Sequence, residues 1–193
     1  MLVVIPFRAG GKSRLPEELR NDVALAMLGD VVEAAVACAD VRVVTSDPAG
    51  GLVAGDLGAA VVEDPDTGQG PAVAAGLAGA DGVSLVVNAD VPRVRPSDLA
   101  ALAVPAKLGR LALVAAPDGT TNALGLPYPE VFRPLYGAGS AGRFAAHALD
   151  VGLDFEELAL PNLVRDIDTV ADLAGLGPRG GARTRALLGA IAG

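Results

Sequence analysis

Residues 85–99 read LVVNADVPRVRPSDL, and the parsing of this stretch decides the fold. Leu85, Val86 and Val87, with Ala89 beyond Asn88, make a short apolar run with β-branched residues, the pattern of a strand buried in a parallel sheet. Asp90 then stands at the carboxyl end of that strand, with Pro92 following, and open α/β sheets place their ligands at this edge. Pro96 and Ser97 open a helix, and Asp98 falls early enough to favour its positive end. Taken alone, Asp90 reads equally well as a turn or cap residue. A second acidic pair, Asp166 and Asp168 in VRDIDTVADL, also ends a short apolar run. The three carboxylates together are expected to meet around a divalent metal.

Upstream of this stretch, strands and helices alternate. Leu2–Pro6 is an apolar strand, followed by the cationic, Gly-containing loop FRAGGKSRLPEE with Arg8, Lys12 and Arg14. Asn21 can cap a helix through VALAMLGDVVEAAVACA, whose apolar residues recur at helical spacing. Val41–Asp47 is a second strand, a short helix lies near Leu52–Leu57, and Ala60–Glu63 is a third strand. Pro71–Leu77 reads as a helix with Pro at its first position. This alternation implies βαβ crossovers and a parallel sheet.

Downstream the pattern loosens. Leu111–Ala116 is a strand, PDGTTNALGLPY a turn and another strand, PLYGAGSAG a Gly-rich loop before a helix, and LALPNLVRDID carries one or two short strands. Thr169 caps the helix VADLAGL. The irregularity suggests an insertion or an antiparallel edge. The expected architecture is one α/β domain over residues 1–176, a three-layer α/β/α sandwich, Rossmann-like, with a mostly parallel sheet and one antiparallel strand. Residues 177–193 form a tail, read as a loosely attached helix.

Composition narrows the function. The 193-residue chain is 51% hydrophobic and carries a formal charge of −8, which argues against nucleic-acid partners, since duplex binding needs a basic face. An acidic chain can still bind a nucleotide where cations and a metal gather in one cleft. The single Cys38 reads as a buried small hydrophobe and fits a reducing cytoplasm. No long apolar run suggests a membrane span. His147, the sole histidine, lies mid-helix, which leaves no basis for Ser-His-Asp, Cys-His or His-rich zinc chemistry. Carboxylates and a hard ion such as Mg²⁺ remain.

Two short motifs resemble phosphate sites. GGKS at residues 10–13 looks like the end of a P-loop, but Pro6 replaces a required Gly and Pro16 blocks the helix, so that reading is rejected. The cationic loop still follows the first strand, where Lys12 and Arg14 could meet phosphate oxygens; otherwise it is a solvated surface loop. Gly137, Gly139 and Gly142 spell G-x-G-x-x-G away from any first βα turn, which argues against a dinucleotide fingerprint. Ser140 is expected there as a helix N-cap, with free N–H groups of Ala141 and Gly142 offering an anion site faced by Thr121 and Asn122. An ordinary capped helix has equal standing. Asp166 and Asp168, at alternate positions of an extended segment, project the same way and need a shared cation.

The ordered set of a basic loop with KSRL, the mid-chain hhhhxDhP pattern, GTTNAL, FRPLYGAGS and DIDT resembles the phosphoenolpyruvate/2-phospholactate guanylyltransferases of coenzyme F420 biosynthesis. These are nucleotidyltransferases with a glycosyltransferase-A-like, nucleotide-diphospho-sugar-transferase-like fold. The likeness runs from about Val3 to Leu173. It implies transfer of GMP from GTP to the phosphate of a three-carbon acid, with Asp90, Asp166 and Asp168 holding Mg²⁺ and Thr121, Asn122, Gly137 and Ser140 near the phosphorylated acid. Arg8, Lys12, Arg14 and Gly70 would contact the nucleotide, with Lys12, Arg14 and Asp90 serving catalysis. A homodimer and hand-over of a labile product to the next enzyme are further expectations. Arg8 stands where many members carry Lys, TGQGPAV replaces a commoner Gly-Leu-Asn form, and Phe144 stands where His often follows. FRAGGKSRL also resembles molybdenum-cofactor guanylyltransferases and sugar-phosphate nucleotidyltransferases, and a nucleotide-binding regulator without turnover is a further reading.

Overall fold

The computed structural model describes residues 1–8 and 17–192. Among these residues, seven strands form one sheet: β1 (Leu2–Pro6), β2 (Asp40–Val44), β3 (Ala60–Val62), β4 (Ser84–Val87), β5 (Leu111–Ala115), β6 (Thr121–Leu126) and β7 (Phe155–Glu157). Their spatial order is β3-β2-β1-β4-β6-β5-β7. β1 pairs in parallel with β2 and β4, and β5 in parallel with β7, while β6 runs antiparallel between β4 and β5. The antiparallel strand expected at an edge is therefore interior.

Helices α1 (Glu17–Val36), α2 (Pro48–Asp56), α4 (Pro96–Lys107) and the single turn α6 (Pro161–Val164) cover one face, and α3 (Gln69–Leu77) and α5 (Ser140–Asp150) the other. Alternation along β1 shows why both faces need cover. Val3 and Ile5 enter the core under α1, Leu2 and Val4 the core under α3, because successive strand side chains point to opposite faces. Each such fully buried aliphatic side chain contributes about 1.5–3 kcal/mol. α3 lies so close to the sheet that a Cβ on Gly76 would run into Val4 and Val44.

Several expected boundaries move. α1 opens at Glu17, so Asn21 lies inside the helix and is not its cap, and α1 ends at Val36. Cys38 therefore falls in the turn beyond the helix and is exposed, not buried. α2 begins early because Asp47 accepts the Ala49 N–H at 2.9 Å, an N-cap contact. α3 begins at Gln69, which puts Pro71 at its third position. LALPNLVRDID contains α6 with no strand of its own beyond β7.

Two final helices, α7 (Val170–Ala174) and α8 (Ala182–Ala192), pack with α1 around Val23, Met27, Ile167, Leu173 and Leu176. The tail helix expected over residues 177–193 has a defined anchor. Asp30 of α1 accepts the N–H groups of Arg183 and Thr184 at 2.8 and 3.0 Å and the Thr184 hydroxyl at 2.6 Å. No described helix is long and apolar enough to cross a membrane.

Candidate functional site

β4 ends at Val87, and the chain then turns Asp90 into the open edge of the sheet. The Asp90 carbonyl accepts the Ile167 N–H at 3.0 Å, so the late DID segment is tied directly to the mid-chain turn. Within DID, alternation puts Ile167 into the core beside Val23 and Met27 and leaves both flanking aspartates to the cleft. One carboxylate oxygen from each of Asp90, Asp166 and Asp168 lies within 4.8 Å of the others. The Thr169 cap of α7 fixes the exit of this segment. Its hydroxyl accepts the Asp172 N–H at 3.2 Å and donates to the Asp172 carboxylate at 2.7 Å, and that carboxylate also accepts the N–H groups of Thr169 and Asp168, a capping box. Three half-buried carboxylates from distant segments repel unless a cation joins them, and an all-oxygen donor set suits a hard divalent ion.

The same cleft, about 420 Å³ in volume, is lined by Arg8, Asp64, Gln69, Asn88, Asp118, Thr121, Asn122, Tyr136, Gly137 and Ser140 besides the three aspartates. Thr121 and Ser140 are both buried, and their hydroxyl oxygens are 2.9 Å apart. Ser140 is the first residue of α5 and not its N-cap. That place belongs to Gly139 in the left-handed conformation, which favours glycine. The Ala141 N–H, expected free for an anion, donates to the Gly119 carbonyl at 3.2 Å. What shapes this loop is Arg143, whose guanidinium donates to the carbonyls of Leu135, Tyr136 and Ala138 and so curls residues 135–138 around Gly137, at φ +105°.

On the opposite side, Arg8 follows β1 and forms a forked pair with Asp64, Nε to Oδ2 at 2.8 Å and Nη2 to Oδ1 at 3.2 Å. Asp66 adds a contact at 3.3 Å. The Asp64 side chain is fully buried, and the Arg8 hydrogen bonds hold its carboxyl below the usual carboxylate range despite the opposing effect of burial. Asp64 was missed by sequence reasoning, since DPDTGQGP reads as a loop. The signal was its place just beyond β3, the edge that also presents Asp90. Asp118 is likewise held low, by the hydroxyl and N–H of Thr120. Among the described residues, Asp64, Asp90, Asp118, Asp166 and Asp168 line the cleft together with Arg8.

Other expected residues fall differently. Lys12 and Arg14 lie outside the described residues. Gly70 is not among the residues lining this cleft, and a Cβ there would strike Pro134, so its smallness serves the packing of α3 on the segment between β6 and α5. Asn122 spends its amide on the carbonyls of Leu163 and Val164, at 2.9 and 3.1 Å, and does not present that donor pair to the cleft. His147 meets the Val131 carbonyl at 2.7 Å and is a packing residue of α5. Tyr136 stacks edge-on against Phe144, ring centres 5.3 Å apart, and burial pushes its phenol up.

Residues 9–153 match the family model of the MobA-like NTP transferase domain. The chain is 41% identical over 197 residues to the phosphoenolpyruvate guanylyltransferase of Salinispora arenicola, covering 92% of this chain and 90% of that one. It is 38% identical to the enzyme of the same name from Streptomyces coelicolor, covering 96% of both. Among solved structures, CMP:2-keto-3-deoxy-manno-octonic acid synthetase in complex with CTP superposes with a TM-score of 0.63 at 18% identity, over 98% of each chain, a likeness of fold.

Proposed function

The chain belongs to the family of MobA-like NTP transferase domains, and from that premise we propose that this nucleotidyltransferase moves GMP from GTP onto the phosphate of phosphoenolpyruvate. The observation that carries the reading is the convergence of Asp90, Asp166 and Asp168 in one cleft with the Thr121–Ser140 pair. The names of the relatives supply the guanylyl group and the acceptor. 2-Phospholactate is the related acceptor, and coenzyme F420 biosynthesis the setting in which such a product is used.

A phosphate oxygen of the acid forms a bond to the α-phosphorus of GTP, the bond between that phosphorus and the α–β bridging oxygen breaks, and pyrophosphate leaves with the electron pair. The nucleophile is already ionised at neutral pH, so no general base is needed, and the absence of a histidine from the cleft is no obstacle. The chain's task is to position two anions and offset their charge. Thr121, Ser140 and the Gly137 loop would seat the acid, and Arg8, with Lys12 and Arg14, would meet the nucleotide phosphates. Asp90, Asp166 and Asp168 would hold Mg²⁺, which supplies charge neutralisation at the transferred phosphoryl group.

Purified protein with GTP, phosphoenolpyruvate and Mg²⁺ is expected to release pyrophosphate and form a guanosine-diphospho-enolpyruvate of the corresponding mass. Neither substrate alone should suffice, and ATP or CTP should substitute poorly. Release only with a sugar phosphate or a pterin, or no release with any acceptor, would overturn the assignment.

A further inference from the structure

Asp166 and Asp168 sit on a stretch with no helix or strand of its own between α6 and α7, tied to Asp90 by the Ile167 N–H bond and not by a ladder of backbone bonds. Asn122 supplies a hold. In β6 the pairing with β5 slips by one residue, from Val114↔Ala123 to Ala115↔Thr121, which leaves Asn122 as the extra residue of a bulge. A bulge re-aims a side chain. Without it, strict alternation would turn Asn122 to the side of Leu124 and Leu126, under α3 and α5. With it, Asn122 faces α6, on the other side of the sheet.

There the Asn122 amide donates to the carbonyls of Leu163 and Val164, the last residues of α6, at 2.9 and 3.1 Å. Asn122 is only 2% exposed, and a side-chain amide has two hydrogens to give, so both are committed. Its carbonyl oxygen faces the Asn88 amide at 3.4 Å, and Asn88 in turn accepts from Gln69 at 2.8 Å. A polar chain, exposed at Gln69 and buried at Asn122, thus runs from α3 across the ends of β4 and β6 to the residues just before Asp166.

We infer that Asn122 is a positioning residue that carries Asp166 and Asp168 to Asp90 by gripping the end of α6, and so sets metal affinity without contacting either substrate. This rests on the reading of the three aspartates as a metal site. The test is a titration of the intact protein with Mn²⁺ alone, read from the loss of the free-ion paramagnetic resonance signal, with far-UV circular dichroism and melting temperature as folding controls. Asn122→Ala should weaken Mn²⁺ binding by about ten- to a hundredfold, as loss of a group supporting metal ligands does. Asn122→Ser, which keeps one hydroxyl donor, should fall between Asn122→Ala and the native chain, and it carries the test if Asn122→Ala does not fold. In turnover, kcat should fall while KM for phosphoenolpyruvate stays within about twofold.

A rise in that KM with unchanged Mn²⁺ affinity would make Asn122 a substrate ligand and overturn the inference. Asp168→Asn separates the two layers. Mn²⁺ binding lost in Asp168→Asn but native in Asn122→Ala defeats the positioning role and leaves the metal site standing. Native binding in both defeats the metal site and the inference with it.

Discussion

Arg8 and Asp90 reach the cleft as residues just beyond two parallel strands, β1 and β4, whereas Thr121 and Asn122 reach it at the start of β6, which runs the other way. In the parallel half, the strand direction and the right-handed crossover deliver every strand's carboxyl end to one edge. In the second half, reversal of a single strand brings an amino end to that edge, and with it the loop of Gly137 and Ser140 and the late aspartates. The first half presents residues by repetition. The second presents them through particular hydrogen bonds: Asn122 to α6, Ile167 to Asp90, and Arg143 to its own loop. The first should tolerate substitution at its edge as a change in binding, and the second should lose placement outright.

The largest effect is expected where both halves contribute to the same task, one carboxylate from the first and two from the second. Asp168→Asn should lower guanylyl transfer by about 10³-fold or more, the scale of removing a principal charge-stabilising group, with the melting temperature unchanged. A steady-state assay of pyrophosphate release checks it, and near-native turnover would show that the two halves do not share a cation. Ser140→Ala comes next. It removes the buried Thr121–Ser140 bond and should raise KM for phosphoenolpyruvate by about tenfold, while KM for GTP stays native. An equal rise in both would mean that the loop serves the whole cleft and not the acid.

Asp64→Asn in the parallel half should have the smallest effect, a few-fold rise in KM for GTP as Arg8 loses its forked partner. Its pH dependence sharpens the comparison. The folded-state pKa of Asp64 is depressed, so the unfolded chain binds its proton more readily. The ion pair therefore stabilises the fold above the ordinary carboxylate range, about pH 4, and this contribution is lost as pH falls through the depressed value. Arg8 is 43% exposed, which holds the gain to about 1 kcal/mol or less. The melting-temperature gap between the native chain and Asp64→Asn should close as pH falls below that range. A gap that widens in acid would place the stabilising charge elsewhere.

Legibility followed how local each feature is, in both halves. β1 matched its apolar run residue for residue, and α4 opened at Pro96 as its Pro-Ser-Asp start implies, because period and cap chemistry are local. Asp90, Asp166 and Asp168 were legible as a group because alternation and mutual repulsion are readable without coordinates. Cys38 was misplaced because helical spacing says nothing of where solvent begins, and α1 stops two residues short of it. The N–H of Ala141 was misread because its acceptor, Gly119, belongs to another turn.

Asn122 shows where local reading ends. Its neighbour in GTTN, Thr121, and Asn122 itself were both expected to face the acid, yet adjacent strand residues face opposite sides, and only the register of β6 against β5 shows that a bulge turns Asn122 toward α6. By itself the amino-acid sequence determined the layered α/β architecture, the strand that presents Asp90 and the acidic trio, since apolar period and charge are properties of short segments. Tertiary structure alone decided that β6 runs antiparallel inside the sheet, that Arg8 is held by Asp64, and which hydrogen bonds bring residues 163–168 to the site. Those depend on pairings between segments far apart in the chain, which no local pattern encodes.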